Sequence, residues 1–223
     1  MTDDPTFPIV LSLRLAAISL VLVAPVGVAL AFVQARRRYP LRGLVDALIL
    51  LPLVLPPSVV GFVLVVLFGR HGPLGSVLES LFGVRLVFTQ AAAVLASCVV
   101  AMPLLVKTAQ PAIEAVPREL ENVGRSLGLS PLGVFFRVTL PCAWRGVAAA
   151  LVLAFARAVG EFGATLMFAG NIPGRTNTMP LEIFAAYQAG DDARALVYVV
   201  VLSVLSGVVV LVAARLSPKD LTA

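Results

Sequence analysis

The chain has 223 residues, of which 60% are hydrophobic and only 13% are charged. A soluble domain carries about 25% charged residues, so the composition excludes an ordinary soluble fold and indicates an all-α polytopic membrane protein. The net charge of +5 comes from basic residues that lie mainly between apolar runs, where they set membrane topology. We therefore expect membrane lipid, and no nucleic acid, as a partner.

Five apolar runs reach or approach the roughly 20 residues that a helix needs to cross the hydrocarbon core. Residues 69–85 contain glycine and proline breakers and are predicted to be a loop. A later polar segment contains one short, shallow predicted helix, Pro180–Gln188. Residues 1–223 are treated as a single transmembrane domain. The five runs are Ile9–Val33, Ala47–Phe68, Leu86–Val106, Gly146–Ala169 and Ala195–Ala214.

The second run contains Pro52 and then the pair Pro56 and Pro57, which are followed by Ser58 and Gly61. Each proline removes a backbone donor and displaces the carbonyl four residues earlier. We therefore predict that this helix is kinked or broken midway. Two interpretations of the break stay open, a packing feature or one wall of a translocation pathway.

The distribution of Lys and Arg predicts the orientation. The loops on one side of the five runs hold eleven of these residues, and the loops on the other side hold four. Because cytoplasmic loops carry the excess of basic residues, we predict a cytoplasmic C-terminus and an N-terminus outside. The predicted cytoplasmic residues are Arg36, Arg37, Arg38, Arg42, Lys107, Arg118, Arg125, Arg137, Arg145, Arg215 and Lys219.

The longest polar interval, residues 117–141, lies between the third and fourth runs and on the predicted cytoplasmic side. Pro117 suits the first position of a helix, and Glu119 suits its positive N-terminal end. Gly128 suits a left-handed cap at the end of that helix. Ser130-Pro131 then predicts the start of a second helix. We expect two short helices joined by a tight turn.

Leu120, Val123 and Leu127 fall on one face of the first of these helices, because their spacing is i, i+3 and i+7. This apolar stripe has two interpretations. It either contacts another protein or belongs to an amphipathic linker that rests on lipid.

The fourth run contains a charge pair, Arg157 and Glu161. These residues are four apart and lie on one helix face, where they can neutralise each other inside the membrane. We predict that Glu161, Gly160 and Gly163 form either a gate in the outer half of a pathway or a helix-packing point. Thr165 follows on the same segment and is included in the predicted pathway.

The sequence contains no G-x-x-x-x-G-K-[ST] phosphate loop, and no triad, metal cluster or paired catalytic carboxylates are apparent. We therefore expect no catalytic residues, no metal site and no cofactor on this chain. If ATP provides the energy for transport, a separate subunit must bind ATP-Mg and hydrolyse it.

The polar interval resembles the signature loop of bacterial binding-protein-dependent ABC importer permeases. That loop has a Glu-Ala-Ala triplet, a glycine after three further residues, and a closing Leu-Pro. Gly128 and Leu140-Pro141 match this pattern, whereas residues 122–124 read Asn-Val-Gly and a glutamate, Glu121, stands one place earlier.

In that family the helix of this loop docks in a cleft of a cytoplasmic ATPase subunit. The resemblance therefore implies that residues 107–145 form a coupling loop. The residues expected to take part in coupling are Glu119, Leu120, Glu121, Asn122, Val123, Arg125, Leu127 and Gly128.

Two further segments, Leu51–Gly75 and Ala154–Phe184, resemble the oxyanion-importer permeases, and the second resembles those for molybdate in particular. The resemblance implies a type I ABC importer fold in the bacterial inner membrane. It also implies a permease homodimer, two nucleotide-binding subunits and an external oxyanion-binding protein. The predicted substrate is molybdate, with tungstate as an addition. The predicted pathway and gate residues are Pro56, Pro57, Ser58, Gly61, Gly160, Glu161, Gly163 and Thr165.

Three alternatives remain at this point. A sulfate or thiosulfate permease would share most of the same segments. An ATP-independent secondary carrier would need intramembrane ionisable residues and an inverted repeat, and only the Arg157–Glu161 pair is present. An intramembrane enzyme would need a nucleophile and a base, which are not apparent.

Overall fold

The computed structural model describes residues 4–216, and within that range every regular element is a helix. This confirms the predicted all-α class. Lys219, one of the basic residues used for the orientation, lies outside the described residues together with the end of the C-terminus. The elements are α1 (Phe7–Arg36), α2 (Arg42–Val54), α3 (Pro57–Phe68), α4 (Pro73–Phe82), α5 (Gln90–Glu114), α6 (Arg118–Ser126), α7 (Pro131–Val134), a π-helical turn (Phe135–Thr139), α8 (Leu140–Val159), α9 (Gly163–Phe168), α10 (Met179–Gln188) and α11 (Asp192–Leu216).

Four helices of the described part are long and apolar enough to cross a membrane. They are α1, α5, the continuous helix Pro131–Val159 and α11. Helices α2 and α3 pass the same test only as a pair, and their axes are bent by 111°. The predicted five spans are therefore present when this bent pair is taken as one span.

The bend between α2 and α3 lies at the predicted prolines. Helix α2 ends at Val54, and both Leu55 and Pro56 are extended, with ψ of 143° and 135°. A residue that precedes proline is driven out of the helical region by the proline ring, so the two consecutive prolines exclude helical conformation at both positions. Pro57 then starts α3, where the missing N–H costs nothing.

The core is built from α1, α5 and α8, which pack through small side chains. A Cβ on Gly146 in α8 would lie 2.2 Å from the Cβ of Ala112 in α5, and a Cβ on Gly27 in α1 would lie 2.4 Å from the Leu105 side chain. Close approach of this kind holds membrane helices together, because apolar burial gives no driving force within lipid. Ser19 adds a hydrogen bond from α1 to α5, at 3.1 Å to the Val94 carbonyl.

Two predicted boundaries are wrong: the third span continues beyond its most apolar part, and the predicted loop after α3 contains a helix. Helix α5 begins at Gln90, where Thr89 Oγ1 accepts a hydrogen bond from Ala92 N at 3.2 Å, and it runs on to Glu114. Residues 69–85, predicted to be a loop, contain α4. Pro73 occupies the first turn of α4, and Gly83 ends it with φ of +63°.

The predicted fourth run, Gly146–Ala169, is not one helix. Helix α8 starts earlier, at Leu140, and ends at Val159, and α9 starts only at Gly163. The break between them contains Gly160 and Glu161, whose carboxylate binds the next helix as described below. The short helix predicted at Pro180–Gln188 is confirmed as α10, which begins one residue earlier at Met179.

We predict that Gly146→Ala destabilises the protein, because the added methyl group would meet Ala112 at the α5–α8 contact. The expected loss is about 1–3 kcal/mol, the usual cost of overpacking. Thermal unfolding of the purified protein in detergent measures it. Gly207→Ala in α11 is the matched control, since nothing lies within 4 Å of the added atom. Equal unfolding temperatures for the two variants would contradict the prediction.

Candidate functional site

The polar interval folds into two helical pieces around a turn, as predicted. Helix α6 begins at Arg118, so Pro117 is its N-cap residue rather than its first helical residue. Gly128 adopts the left-handed conformation with φ of +84°. Its N–H donates to the Arg125 carbonyl at 2.9 Å, and the N–H of Leu129 donates to the Gly124 carbonyl at 3.1 Å. These bonds close the C-terminal end of α6.

The second helical piece starts as predicted and then continues into the membrane. Ser130 Oγ accepts a hydrogen bond from Gly133 N at 3.1 Å and caps α7. Helix α7 runs through the π-helical turn directly into α8, so that Pro131–Val159 is one continuous helix of 29 residues. The second helical piece of the polar interval is therefore joined to a membrane span without a loop.

Glu121 is the one buried member of the predicted coupling residues, with only 3% of its side chain exposed. Its Oε1 accepts hydrogen bonds from Arg36 Nε at 3.0 Å and from Thr139 Oγ1 at 2.8 Å. Arg36 also donates from Nη2 to the Val116 carbonyl at 2.7 Å. The carboxylate thus ties α6 to the end of α1 and to the π-helical turn that precedes α8. Arg36 and Thr139 are absent from the predicted coupling residues, and no local sequence pattern links either of them to Glu121.

The other predicted coupling residues lie on the surface. The apolar stripe on α6 is open, with Leu120 46%, Val123 57% and Leu127 78% exposed. Gly124, on the adjoining face, is buried against the second helical piece. The predicted coupling residues that are exposed on α6 and its turn are Glu119, Leu120, Asn122, Val123, Arg125 and Leu127, and Gly128 is exposed beside them.

The predicted pathway residues come from two segments far apart in sequence, and the structure brings these segments into contact. A Cβ on Gly61 in α3 would lie 2.8 Å from the backbone of Ala164 in α9. A Cβ on Gly163 would lie 2.9 Å from the Cβ of Pro57 and 3.2 Å from the backbone nitrogen of Ser58. The start of α3 and the start of α9 therefore pack backbone against backbone, and both glycines are required for this approach. Pro56 is exposed at the start of α3.

Glu161 stabilises the break between α8 and α9. Its Oε1 accepts a hydrogen bond from Ala164 N at 2.7 Å, at the positive N-terminal end of α9. Its Oε2 lies 2.8 Å from Arg157 Nη1, so the predicted ion pair is present. Glu161 and Thr165 are buried, whereas Gly160 is exposed. The Arg157 side chain is 27% exposed and reaches the protein surface at this point.

A further polar cluster, between α9 and α11, was missed by the sequence prediction. Asn177 Nδ2 donates to Asn171 Oδ1 at 2.8 Å and to Glu182 Oε2 at 2.7 Å, and Arg194 Nη2 pairs with Glu182 Oε1 at 2.5 Å. Met179 N donates to Ser12 Oγ at 2.8 Å, which fixes the start of α10 on α1. The sequence signal that could have indicated this cluster is the high polar content of residues 170–178, which lie between two apolar stretches. No group of three or more His, Cys, Asp or Glu that could hold a metal occurs among residues 4–216.

Comparison with known proteins decides the family. The sequence profile of the binding-protein-dependent transport system inner membrane component matches residues 24–219. The chain belongs to this family. It is therefore a membrane-spanning permease component of an ABC importer, located in the inner membrane.

Relatives within the family are similar over most of their length. The molybdenum transport system permease protein ModB of Escherichia coli K12 is 40% identical over 188 residues, covering 84% of this chain and 82% of the relative. ModB of Mycobacterium tuberculosis H37Rv is 44% identical over 214 residues, covering 96% and 81%. The putative molybdenum transport system permease protein YvgM of Bacillus subtilis 168 is 39% identical over 199 residues, covering 89% and 88%.

Solved structures confirm the fold. A bacterial ABC transporter involved in the import of the acidic polysaccharide alginate aligns with a TM-score of 0.75 and 16% identity, covering 98% of this chain and 82% of that one. The MetNI methionine ABC transporter, in inward-facing conformations, aligns with a TM-score of 0.65 and 18% identity, covering 95% and 91%. At these identities the likeness concerns the fold alone, and it agrees with the expected type I importer architecture.

We predict that Glu121→Ala releases α6 from the rest of the protein, because Arg36 and Thr139 lose their shared acceptor. Removing one partner of a buried ion pair costs about 3–5 kcal/mol. The variant should unfold at a lower temperature in detergent and become sensitive to proteases at residues 117–130. Glu119→Ala, on the exposed side of the same helix, is the control and should behave as the wild type. An unchanged proteolytic pattern in Glu121→Ala would show that the anchor is not needed.

Proposed function

We propose that this chain is the permease subunit of an ATP-driven importer that moves molybdate, and with it tungstate, into the cytoplasm. The supporting observation is the identity of 39–44% to relatives named as molybdenum transport permeases, along more than four fifths of the chain. A sulfate or thiosulfate importer is not favoured, because the same relatives carry molybdenum in their names. Membership of an ABC importer family likewise disfavours an ATP-independent carrier.

In this proposal the exposed stripe of Leu120, Val123 and Leu127 is the docking surface for a cytoplasmic ATPase subunit. Three neighbouring apolar side chains on a helix that is otherwise polar need a partner to remove them from water. The ATPase subunit holds ATP-Mg, and this chain binds no cofactor. Movement of the ATPase reaches the membrane through the Glu121 anchor and through the continuous helix that begins at Pro131.

We further propose a homodimer of permeases on two ATPase subunits, with the pathway at the symmetry axis. A single copy leaves α2 without a buried residue and exposes large apolar side chains on α3, which leaves room for a second copy. An external oxyanion-binding protein delivers the substrate. The excess of basic residues in one set of loops supports an N-terminus outside and a C-terminus in the cytoplasm.

The contact between the starts of α3 and α9 is the proposed gate. Glu161 would repel a dianionic substrate, so its role is to hold the break and to balance Arg157 rather than to bind molybdate. The guanidinium of Arg157 is partly exposed beside the break and has the charge that attracts an oxyanion. Plain helix packing is the alternative role for Gly61 and Gly163, since their close contacts would be needed in either case.

Uptake measurements test the substrate. The permease, its ATPase subunit and its binding protein are reconstituted in proteoliposomes, and uptake of labelled molybdate is compared with uptake of labelled sulfate. We expect ATP-dependent molybdate uptake that a tenfold excess of sulfate does not inhibit. Sulfate uptake at an equal or higher rate would replace the proposal with the sulfate alternative, and uptake without ATP would overturn it.

We predict that Glu161→Gln lowers molybdate uptake about tenfold while the complex still assembles. The amide can still accept the hydrogen bond from Ala164 N, but Arg157 loses its counter-charge inside the membrane. Uptake is measured in the same proteoliposomes, and assembly is checked by size-exclusion chromatography. Glu79→Gln, which removes an exposed pair with Arg85, is the control and should transport normally. Full transport by Glu161→Gln with normal assembly would leave only the packing role.

We predict that Leu127→Asp releases the ATPase subunit, because a charge would then lie in the apolar docking surface. Co-purification of the two subunits from detergent measures this, and we expect less than about a tenth of the wild-type yield, which corresponds to roughly 1.4 kcal/mol or more. Leu41→Asp is the matched control. Leu41 is 70% exposed in the loop between α1 and α2, with a positive φ that aspartate tolerates. Retention of the ATPase by Leu127→Asp would favour the alternative in which the stripe rests on lipid.

A further inference from the structure

A long apolar groove runs over the surface between α1 and the helix that begins at Pro131. Its volume is about 670 Å³. One wall comes from α1, with Pro25 near one end, and the other comes from Leu132, Phe136 and Leu151. Nothing in the proposed pathway uses this groove, since the pathway residues lie on α3 and α9 and in the break that follows α8.

The length of the groove matches one leaflet of a membrane. It follows α1 from Ala24 to Arg37, which is about 20 Å at the helical rise of roughly 1.5 Å per residue. One leaflet is about 20 Å thick with its headgroup region, of which about 15 Å is hydrocarbon. In the proposed orientation the Arg37 end lies at the cytoplasmic surface and the Pro25 end lies near the bilayer midplane. The groove therefore has the depth of a single acyl chain.

The chemistry of the walls is that of a hydrocarbon site with one charge at its end. Among the described residues, Arg37 is the one charged residue that lines the groove, and it is exposed at the C-terminal end of α1. None of the described residues forms an ion pair or a side-chain hydrogen bond with it. By contrast, the neighbouring Arg36 is turned inward to Glu121.

Aromatic rings form the wall nearest to this charge. Phe135 meets Phe32 edge-on with centroids 5.0 Å apart, and it meets Phe136 in the same way at 4.9 Å. Phe136 is 61% exposed and Leu132 is 71% exposed, so both would face water or lipid without an occupant. Rings near a membrane surface favour the boundary between headgroups and acyl chains.

We propose that this groove binds an anionic phospholipid of the cytoplasmic leaflet, with one acyl chain along α1 and the phosphate at Arg37. The apolar walls select an acyl chain, and the single guanidinium selects a negative headgroup. The proposal rests on the proposed orientation but not on the proposed substrate. Since the π-helical turn forms part of the groove wall and also holds Thr139, the lipid lies against the element that joins α6 to α8.

The test is lipid binding to the purified permease–ATPase complex by native mass spectrometry. The complex is delipidated in detergent and titrated with phosphatidylglycerol or with phosphatidylcholine of the same acyl chains. We expect one tightly bound phosphatidylglycerol per permease chain. Arg37→Gln should weaken this binding about fivefold, the effect of one basic residue at an anionic surface. Arg38→Gln, which removes an adjacent exposed arginine that does not line the groove, should leave it unchanged.

A second variant tests whether the apolar part of the groove binds the acyl chain. Ala29 lines the groove and is exposed, so Ala29→Phe fills the groove without disturbing the core. We expect it to abolish the tightly bound lipid while the unfolding temperature stays unchanged. Phosphatidylglycerol binding that is the same in wild type, Arg37→Gln and Ala29→Phe would overturn the proposal.

The alternative occupant of the groove is a second copy of the chain. A photocrosslinker attached to Ala29→Cys, in a background without Cys98 and Cys142, reports any second permease chain in the groove of the assembled complex. We expect no crosslink, because lipid occupies the groove. An efficient crosslink between two permease chains would show that the groove is a subunit contact and would overturn the proposal. Each of these outcomes leaves the molybdate uptake test unaffected, since the two experiments read different properties.

Discussion

The structure depends on one constraint, the need to satisfy every backbone donor and acceptor that a broken helix leaves inside a membrane. Within residues 4–216, apolar runs are broken at Pro56 and at Glu161. The first uses proline, which has no donor to satisfy, and the second uses a carboxylate that accepts from the next helix. Because α3 and α9 both start at these breaks and pack against each other through Gly61 and Gly163, the two breaks also form one close backbone contact. The gate is proposed at this contact between α3 and α9, because a broken span offers backbone polar groups and a hinge within the membrane.

The polar interval is subject to a different constraint, the low stability of a short helix. A short helix of nine residues is unstable alone, since most helical stability in proteins comes from packing. Helix α6 has an exposed apolar stripe, so it cannot gain that stability from its outer face before a partner binds. The buried Glu121 stabilises α6 from its inner face, because its carboxylate accepts hydrogen bonds from Arg36 and Thr139. The family triplet is replaced here by Asn-Val-Gly, and the small residue, Gly124, faces the second helical piece where space is short.

Composition and periodicity predicted the all-α class, the number of spans, the break at Pro56 and the turn at Gly128, since each follows from local chemistry. They did not predict α4, because its flanking glycines and proline resemble those of a loop although they cap a helix. The break at Glu161 was also missed, since the surrounding residues are apolar and the capping contact forms only after folding. For the candidate site, the charge pair Arg157–Glu161 could be predicted from its spacing. The anchor from Arg36 to Glu121 could not be predicted, because it joins residues 85 positions apart.

Helix α8 connects the two regions. It starts beside the anchored α6 and ends at the Gly160 break, so its length of 20 residues, about 30 Å, spans the distance between the proposed docking surface and the proposed gate. A helix transmits an axial displacement with little loss, whereas a loop absorbs it. In the proposed mechanism the helix that runs on from α7 into α8 without a loop carries the movement, whereas the surface of α6 provides the docking contact. The π-helical turn is the one irregular part of this connection, and it is held by Thr139 to the same carboxylate that holds α6. A displacement of α6 must therefore either move α8 or break a buried, charged hydrogen-bond network.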